Sequence, residues 1–451
     1  MNRIKKTTIA STALLALDQT KEKYDLILNK PSNVPYLASL FPQEILIKIF
    51  SYFDLKDLVK LAGVCKSWHD LIHGTPQFWW NAHLKLSCKK QSKLRQNSYL
   101  FAKLYGSRCR NLVINCEHRS FYYLACCKNM TVYLRKLLLL LKPTKLTSFK
   151  ISDARMGCER ESVRSSILQI LTRMLSRFDC LQCFAMPYAK WRLLEGIKVL
   201  DAVISASKET IQSLMIDGFF QLFIVLFPEE PVNFDNVTNN ILSLKKLKKL
   251  GIDYFVLTDD FVNALSTSCA QLETLRICAP YVCVATKTIT QSCWVKLIKV
   301  FPTKKVEFSV NSLTEDASVS VPAVLDPVLP ITKIRLNILC FNTNAIPNTG
   351  AVLQHISSHF SRSLVKFEMN IDNLDGPIDG ALEIFVRNCP RLLHLKVSAH
   401  FASPHTQQRV LDLIQARRQR LIECKHLEIS NKRRKLNPPD GPGSTTANTE
   451  S

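Results

Sequence analysis

The stretch Phe41-Pro-Gln-Glu-Ile-Leu-Ile-Lys-Ile-Phe-Ser-Tyr-Phe-Asp-Leu-Lys-Asp-Leu-Val-Lys-Leu-Ala-Gly-Val-Cys-Lys-Ser-Trp68 decides how the chain is read. Its period is that of short helices. Pro42 suits a first helical turn, where the missing N–H costs nothing, and Glu44 sits where a carboxylate favours the helix dipole. Ile45, Leu46, Ile49, Phe50 and Phe53 recur at three- and four-residue steps and predict one wide apolar face. Asp54 is placed as the N-cap of a second helix, with Asp57 three residues on in a capping-box-like position. Leu55, Leu58, Val59, Leu61 and Ala62 are its apolar positions. Val64, Cys65, Trp68, Leu71 and Ile72 carry the pattern into a third helix.

A segment of about 45 residues is marginal as a free-standing domain. This one carries more large apolar side chains than three short helices can bury among themselves. Each one left in water forgoes roughly 1.5–3 kcal/mol of burial. The face must therefore dock, on the rest of the chain or on a partner.

The stretch resembles an F-box, whose pattern is Leu-Pro-x-Glu-Ile-Leu, Ile-Phe-Ser-Tyr-Leu, Asp-Leu, Val-Cys-Lys-x-Trp and a closing Leu-Trp. Here those positions read Phe41–Leu46, Ile49–Phe53, Asp57-Leu58, Val64–Trp68 and Phe78-Trp79. Phe41, Phe53 and Phe78 stand where the family has leucine, so apolar replaces apolar. The resemblance covers residues 33–80 and implies binding to the Skp adaptor of a cullin–RING ubiquitin ligase. It implies contact through Pro42, Ile45, Leu46, Ile49, Leu58, Val64, Cys65 and Trp68. An ordinary three-helix subdomain is the plain alternative.

Outward from this stretch, 451 residues suffice for two or three domains, and 47% hydrophobic with 22% charged residues is globular. Twelve glycines leave little room for glycine-rich phosphate loops. The net charge of +23 calls for acidic partners; the resemblance offers one, since Skp-type adaptors are acidic. Sixteen scattered cysteines show no disulfide framework and suit a reducing, intracellular compartment. Arg3, Lys5 and Lys6 ahead of Ile9–Leu17 outline a signal or transit peptide. Ser11 and Thr12 interrupt that run, so residues 1–32 are read as a flexible lead-in. The longest apolar runs, Phe219–Phe227 and Leu137–Leu141, fall far short of the roughly 20 residues of a membrane span.

Residues 81–108 are basic and mixed and read as a link. From 109 a unit of the form apolar-x-x-apolar-x-apolar recurs, often behind a cysteine. Clear copies are Cys269-Ala-Gln-Leu-Glu-Thr-Leu-Arg-Ile277 and Cys389-Pro-Arg-Leu-Leu-His-Leu-Lys-Val397. Others begin at Cys109, Leu146, Ile211, Leu247, Ile331, Leu364 and Cys424. Spacings of about 25–32 residues, with a helical stretch before each clear copy, are those of degenerate leucine-rich repeats. No repeat buries its own apolar face, so the units must stack. The expected fold is α/β: a three-helix F-box, then a curved leucine-rich-repeat-like solenoid over 109–430. Ser292–Leu297 with Lys305–Val310, and Ile378–Leu392, also resemble the F-box subgroup containing the F-box only proteins numbered thirty-three and thirty-nine.

The end, 431–451, is disordered by composition. Its Lys432-Arg433-Arg434-Lys435 block matches a nuclear-localisation pattern, or is a solubilising end. No catalytic site assembles. Cys180-x-x-Cys183 has zinc-like spacing but no second pair, and Cys116, His118, Cys126 and Cys127 do not complete it. No metal or cofactor is expected. Lys245–Lys249 is a basic patch without aromatic interleaving, and reads as a solvated repeat rim. The expected role is a non-catalytic ligase adaptor, cytoplasmic or nuclear, joining the Skp adaptor and a cullin to a protein substrate. A basic repeat protein binding nucleic acid, or a Skp-bound scaffold outside the ligase, are the alternatives.

Overall fold

The computed structural model describes residues 41–53, 55–88, 92–117, 124–156, 160–220, 233–280, 288–301, 305–312, 317–338, 349–371, 378–418 and 426–431. The expected lead-in, Asp54 and the Lys432–Lys435 block lie outside them. Three short helices come first: α1 (Gln43–Phe50), α2 (Leu55–Ala62) and α3 (Lys66–Gly74). Pro42 caps α1 from one position outside it, its carbonyl accepting the N–H groups of Ile45 and Leu46 at 3.0 and 3.2 Å. Extended Cys65 precedes α3. Thr75 closes that helix by donating both its N–H (3.0 Å) and its hydroxyl (2.6 Å) to the Leu71 carbonyl. A 3-10 turn, Pro76–Trp79, follows.

The described residues fall into two compact units, one reaching Pro280 and including Ile289–Val306, the other running on from Glu307. In the first, strands β1 (Asn81–Ser87), β2 (Asn111–Glu117), β3 (Ser148–Ser152), β4 (Cys183–Ala185), β5 (Ser213–Met215), β6 (Lys249–Asp253) and β7 (Thr274–Pro280) lie side by side in chain order. All six neighbouring pairs are parallel. Parallel strands need a crossover. It is supplied by α4 (Lys93–Tyr105), α5 (Leu124–Leu140), α6 (Glu161–Leu175), α7 (Leu193–Ser207), α8 (Asp235–Leu242) and α9 (Asp259–Ser268), one per gap, with α10 (Gln291–Val300) after β7. The stretch expected as a link is therefore folded, since β1 and α4 occupy it.

The recurring apolar unit acquires a physical meaning here. Its second position forms one row across the sheet: Ala82, Leu112, Phe149, Phe184, Leu214, Leu250 and Leu275 are register partners in turn. None is more than 3% exposed. Its first position sits just ahead of the strand, at Leu146, Leu181, Ile211, Leu247 and Leu272, also buried. The main chain repeats as well. The Trp80 carbonyl accepts the N–H groups of Arg110 and Asn111, and the Arg110 carbonyl those of Thr147 and Ser148. Thr147, Gln182, Gln212 and Lys248 continue the same two-donor stitch, at 2.7–3.1 Å. The fold is thus repeat-like in its hydrogen bonds as well as in its spacing.

The second unit holds β8 (Lys305–Ser312), β9 (Ile331–Ile338), β10 (Lys366–Ile371), β11 (His394–Ala399) and β12 (His426–Asn431), with α11 (Ala317–Val324), α12 (Thr349–Phe360), α13 (Asp379–Asn388) and α14 (Thr406–Arg418) between them. Strands β9 to β12 are parallel, and Ile334, Phe367, Leu395 and Leu427 share a register row. The stitch recurs where the Val365 carbonyl accepts from Leu393 and His394.

Cysteines ahead of the repeats are packing residues: Cys109, Cys269 and Cys389 are free thiols and buried. Burial pushes the Cys109 thiol up to about 12. Cys88 is disulfide-bonded, an exception to the expectation of thiols. The chain reverses after β5 at Gly218, whose φ is 71°. A Cβ there would lie 2.6 Å from the Tyr188 ring and 3.2 Å from its Cα. Asp253, fully buried, accepts the Gly218 and Phe220 N–H groups and holds this turn.

Candidate functional site

Helix α1 carries two apolar rows rather than the single face expected. Leu46 and Phe50 point inward, 5% and 1% exposed. Ile45 and Ile49 are spaced by four and share the opposite side of the helix, as helical period requires; Phe41 just ahead of it and Phe53 just after it are exposed as well. These four are 41–49% exposed, and Tyr52 (75%) and Val64 (54%) also stand in water. Of the twelve exposed large apolar side chains among the described residues, these six come from a span of 24 residues, 41–64, while the other six are scattered from Leu104 to Ile384. Exposed apolar side chains scattered singly need no explanation, but a contiguous group does.

Of the residues expected as contacts, Pro42, Ile45, Ile49 and Val64 are exposed, while Cys65 and Trp68 are half-buried. Leu46 and Leu58 are buried, 5% and 3% exposed, and pack inward among the three helices. Trp68 has a mixed role, its ring set edge-on to Phe50 with centroids 4.9 Å apart. Its Nε1 is buried with no hydrogen-bond partner among the described residues. Phe41, Tyr52 and Phe53 are the exposed members that the expectation left out. The i, i+4 row through Ile45 and Ile49 was the signal that contained two of them.

The closing Phe78-Trp79 pair does not join this face. Both side chains are buried. The Trp79 ring stacks on Tyr105 of α4 at 3.8 Å and 5°, and its Nε1 donates to the Ile72 carbonyl at 3.2 Å. The His73 ring lies nearly parallel to both, centroids 5.7 Å from Trp79 and 5.8 Å from Tyr105, with its Nδ1 2.5 Å from the Tyr105 hydroxyl. Arg108 donates to the His73 carbonyl. Burial, then the positive neighbours His69 and Arg108, lower His73 from 6.5 to about 4, against a weaker pull from Asp70. Burial raises Tyr105 to about 12. At neutral pH the imidazole is therefore uncharged and shares a hydrogen bond with the protonated Tyr105 hydroxyl. Trp79 also fills the first apolar position of the first repeat, three residues before Ala82. One side chain thus closes the helical segment and opens the repeats.

Elsewhere the expected readings have places. Cys180 and Cys183 are half-buried free thiols, and the Cys180 thiol donates to the Leu146 carbonyl at 3.5 Å. No group of three or more His, Cys, Asp or Glu able to hold a metal occurs among the described residues. Lys245, Lys246 and Lys249 are exposed, while the Lys248 carbonyl belongs to the stitch. No helix among the described residues is long and apolar enough to cross a membrane.

Comparison with curated proteins finds no match, so the subgroup likeness rests on its two motifs alone. A family model described as F-box-like matches residues 39–85, which takes in α1 to α3, the 3-10 turn and most of β1. With exposed apolar residues on α1 and a buried Phe78-Trp79 closure, residues 39–85 form an F-box-like domain.

Proposed function

We propose that the chain is the substrate-recognition subunit of a Skp–cullin–F-box ubiquitin ligase. The exposed Ile45 and Ile49 of α1, with exposed Phe41, Tyr52, Phe53 and Val64 from the same short span, are the observation that carries the reading. A domain of this family generally binds a Skp adaptor, and an apolar group of this kind is what such a partner would cover. The two repeat units, of the leucine-rich kind in their apolar spacing, would hold the target protein. The mechanism is proximity. A target held near a charged conjugating enzyme presents its lysines at high effective concentration, and this chain supplies no reacting group.

Affinity capture of the full chain from cells, followed by mass spectrometry, tests the reading. A Skp adaptor and a cullin accompany the wild type, and both vanish with Ile45→Asp/Ile49→Asp. Capture of the adaptor without any cullin favours the scaffold role instead. Adaptor binding that survives the double substitution removes α1 as the docking face.

A further inference from the structure

On β9, β10 and β11 the outward side chains stand in rows fixed by the register. Lys333 and Lys366 are directly opposite one another, and His394 continues that row. Arg335, Glu368 and Lys396 form the next row, and Asn337, Asn370 and Ser398 the one after. Arg335 grips Glu368 Oε2 through Nε and a terminal nitrogen, both at 2.7 Å. Lys366 Nζ lies 3.0 Å and Lys333 Nζ 4.0 Å from Oε1. Burial alone would raise the Glu368 carboxyl. The Arg335 hydrogen bond and the three cations outweigh it and bring the value down to about 2.

One feature makes poor sense as fold stabilisation. Like charges directly opposed on neighbouring strands are destabilising, and Lys333 and Lys366 are such a pair. Glu307 on β8 helps Lys333, yet burial and then Arg335 still hold that ammonium below its usual range. The register adds Lys396 beside Glu368, with Glu428 of β12 beyond it. A local rule broken without a structural gain marks a functional site.

We propose that the outward face of β9–β11 binds an extended, carboxylate-rich segment of a partner protein, seated on Lys333, Arg335 and Lys366. Charge complementarity names the occupant. Glu368 shows the geometry, because the cluster already holds one carboxylate by a two-nitrogen guanidinium contact and an ammonium. The neighbouring amide row, in which Asn337 donates to Asn311 Oδ1 at 2.7 Å, offers hydrogen bonds to the segment's main chain. Polynucleotide fits less well, since no Phe, Tyr or Trp stands in these outward rows to stack on bases. The inference rests on the reading of the repeats as the target-holding part of the chain, and it supplies the chemical class of the target.

The test uses the purified full chain and a short fluorescein-labelled peptide alternating Glu and Ser, with the Gln-Ser peptide as control, followed by fluorescence anisotropy. The wild type binds the Glu peptide and not its control. Lys333→Gln/Lys366→Gln weakens it roughly tenfold or more, whereas Lys249→Gln on the first unit leaves it unchanged. Glu368→Gln, which removes the built-in competitor, tightens it severalfold at low salt. No binding by wild type, equal weakening by Lys249→Gln, no tightening in a folded Glu368→Gln, or displacement by single-stranded DNA at lower concentration overturns the proposal. Capture of the Skp adaptor is measured alongside. Adaptor lost with peptide retained defeats the ligase reading and leaves this surface standing.

Discussion

Ile45 and Leu46 are neighbours in α1 yet face opposite ways, the first 44% and the second 5% exposed. One helix therefore serves an inner core and an outer partner at once. The two jobs can be separated by substitution, because the helical period keeps the rows apart.

Charges placed on the outer row leave the fold intact. Ile45→Asp/Ile49→Asp loses the adaptor, and its stability stays within about 0.5 kcal/mol of wild type, as for ordinary surface changes. Leu46→Ala lowers stability by about 2–5 kcal/mol, read as a shift of the urea midpoint. A stability loss of that size in the outer-row variant contradicts the assignment of rows.

Trp79→Ala empties the space between α3 and α4 and costs about 3–5 kcal/mol. Tyr105→Phe keeps the stack and removes only the hydroxyl bond to His73, costing about 0.5–1.5 kcal/mol. Thermal melts of both variants give the order, and the reverse order disproves the stacking account.

His73 makes the same joint sensitive to acid. Its folded value of about 4 lies below the unfolded 6.5, so the unfolded chain binds more protons between those values. Stability is complete above about 6.5 and declines as pH falls towards 4. His69, Asp70 and Arg108 are the charged groups that face it. His73→Gln flattens this part of the melting-temperature profile, and an unchanged slope refutes the assignment.

Glu368 gives a loss of the same sign over a lower range. Its folded value of about 2 lies below the ordinary 4.5, so its contribution is present above 4.5 and lost as pH drops towards 2. Lys333, Arg335 and Lys366 surround it, and Glu307 acts on Lys333. Glu368→Gln removes the loss between those two values while leaving the His73 slope in place, which paired acid titrations of wild type and variant distinguish.

Gly218→Ala combines a left-handed backbone with a clash on Tyr188, and costs about 1–3 kcal/mol. Gly380→Ala, in the first turn of α13 with nothing within 4 Å of its new Cβ, is neutral or gains up to about 1 kcal/mol. Chemical unfolding of the two variants side by side checks the contrast.

The helical segment and most repeats were legible because their apolar positions recur at fixed steps, and a step survives exchange of Leu for Phe or Ile. The first repeat was hidden because its leading position is Trp79 and its second is Ala82, neither of which reads as a leucine in a pattern. The fourth, at Cys183–Ala185, offers three strand residues and too little alternation to notice. On α1 the two rows merge when written linearly, since Ile45-Leu46 and Ile49-Phe50 are adjacent in sequence. Assigning Leu46 and Leu58 to the core needed knowledge of where α2 and α3 pack. The Lys333–Glu368 cluster joins side chains about 35 residues apart, which only a repeat register brings together.

The stitch that joins one repeat to the next is written in main-chain atoms, a carbonyl at Arg110, Thr147, Gln182, Gln212 or Lys248 meeting two N–H groups of the next repeat. Apart from Thr147, whose hydroxyl also donates to the Arg110 carbonyl at 3.2 Å, the bonds are main chain to main chain, so mutation can erode the sequence periodicity while the spatial one persists. Equivalent cuts, after Arg110 and after Thr147 for instance, would leave ends that present the same donors and acceptors. The array is therefore suited to being lengthened or shortened by whole modules, with no new interface to invent at the splice.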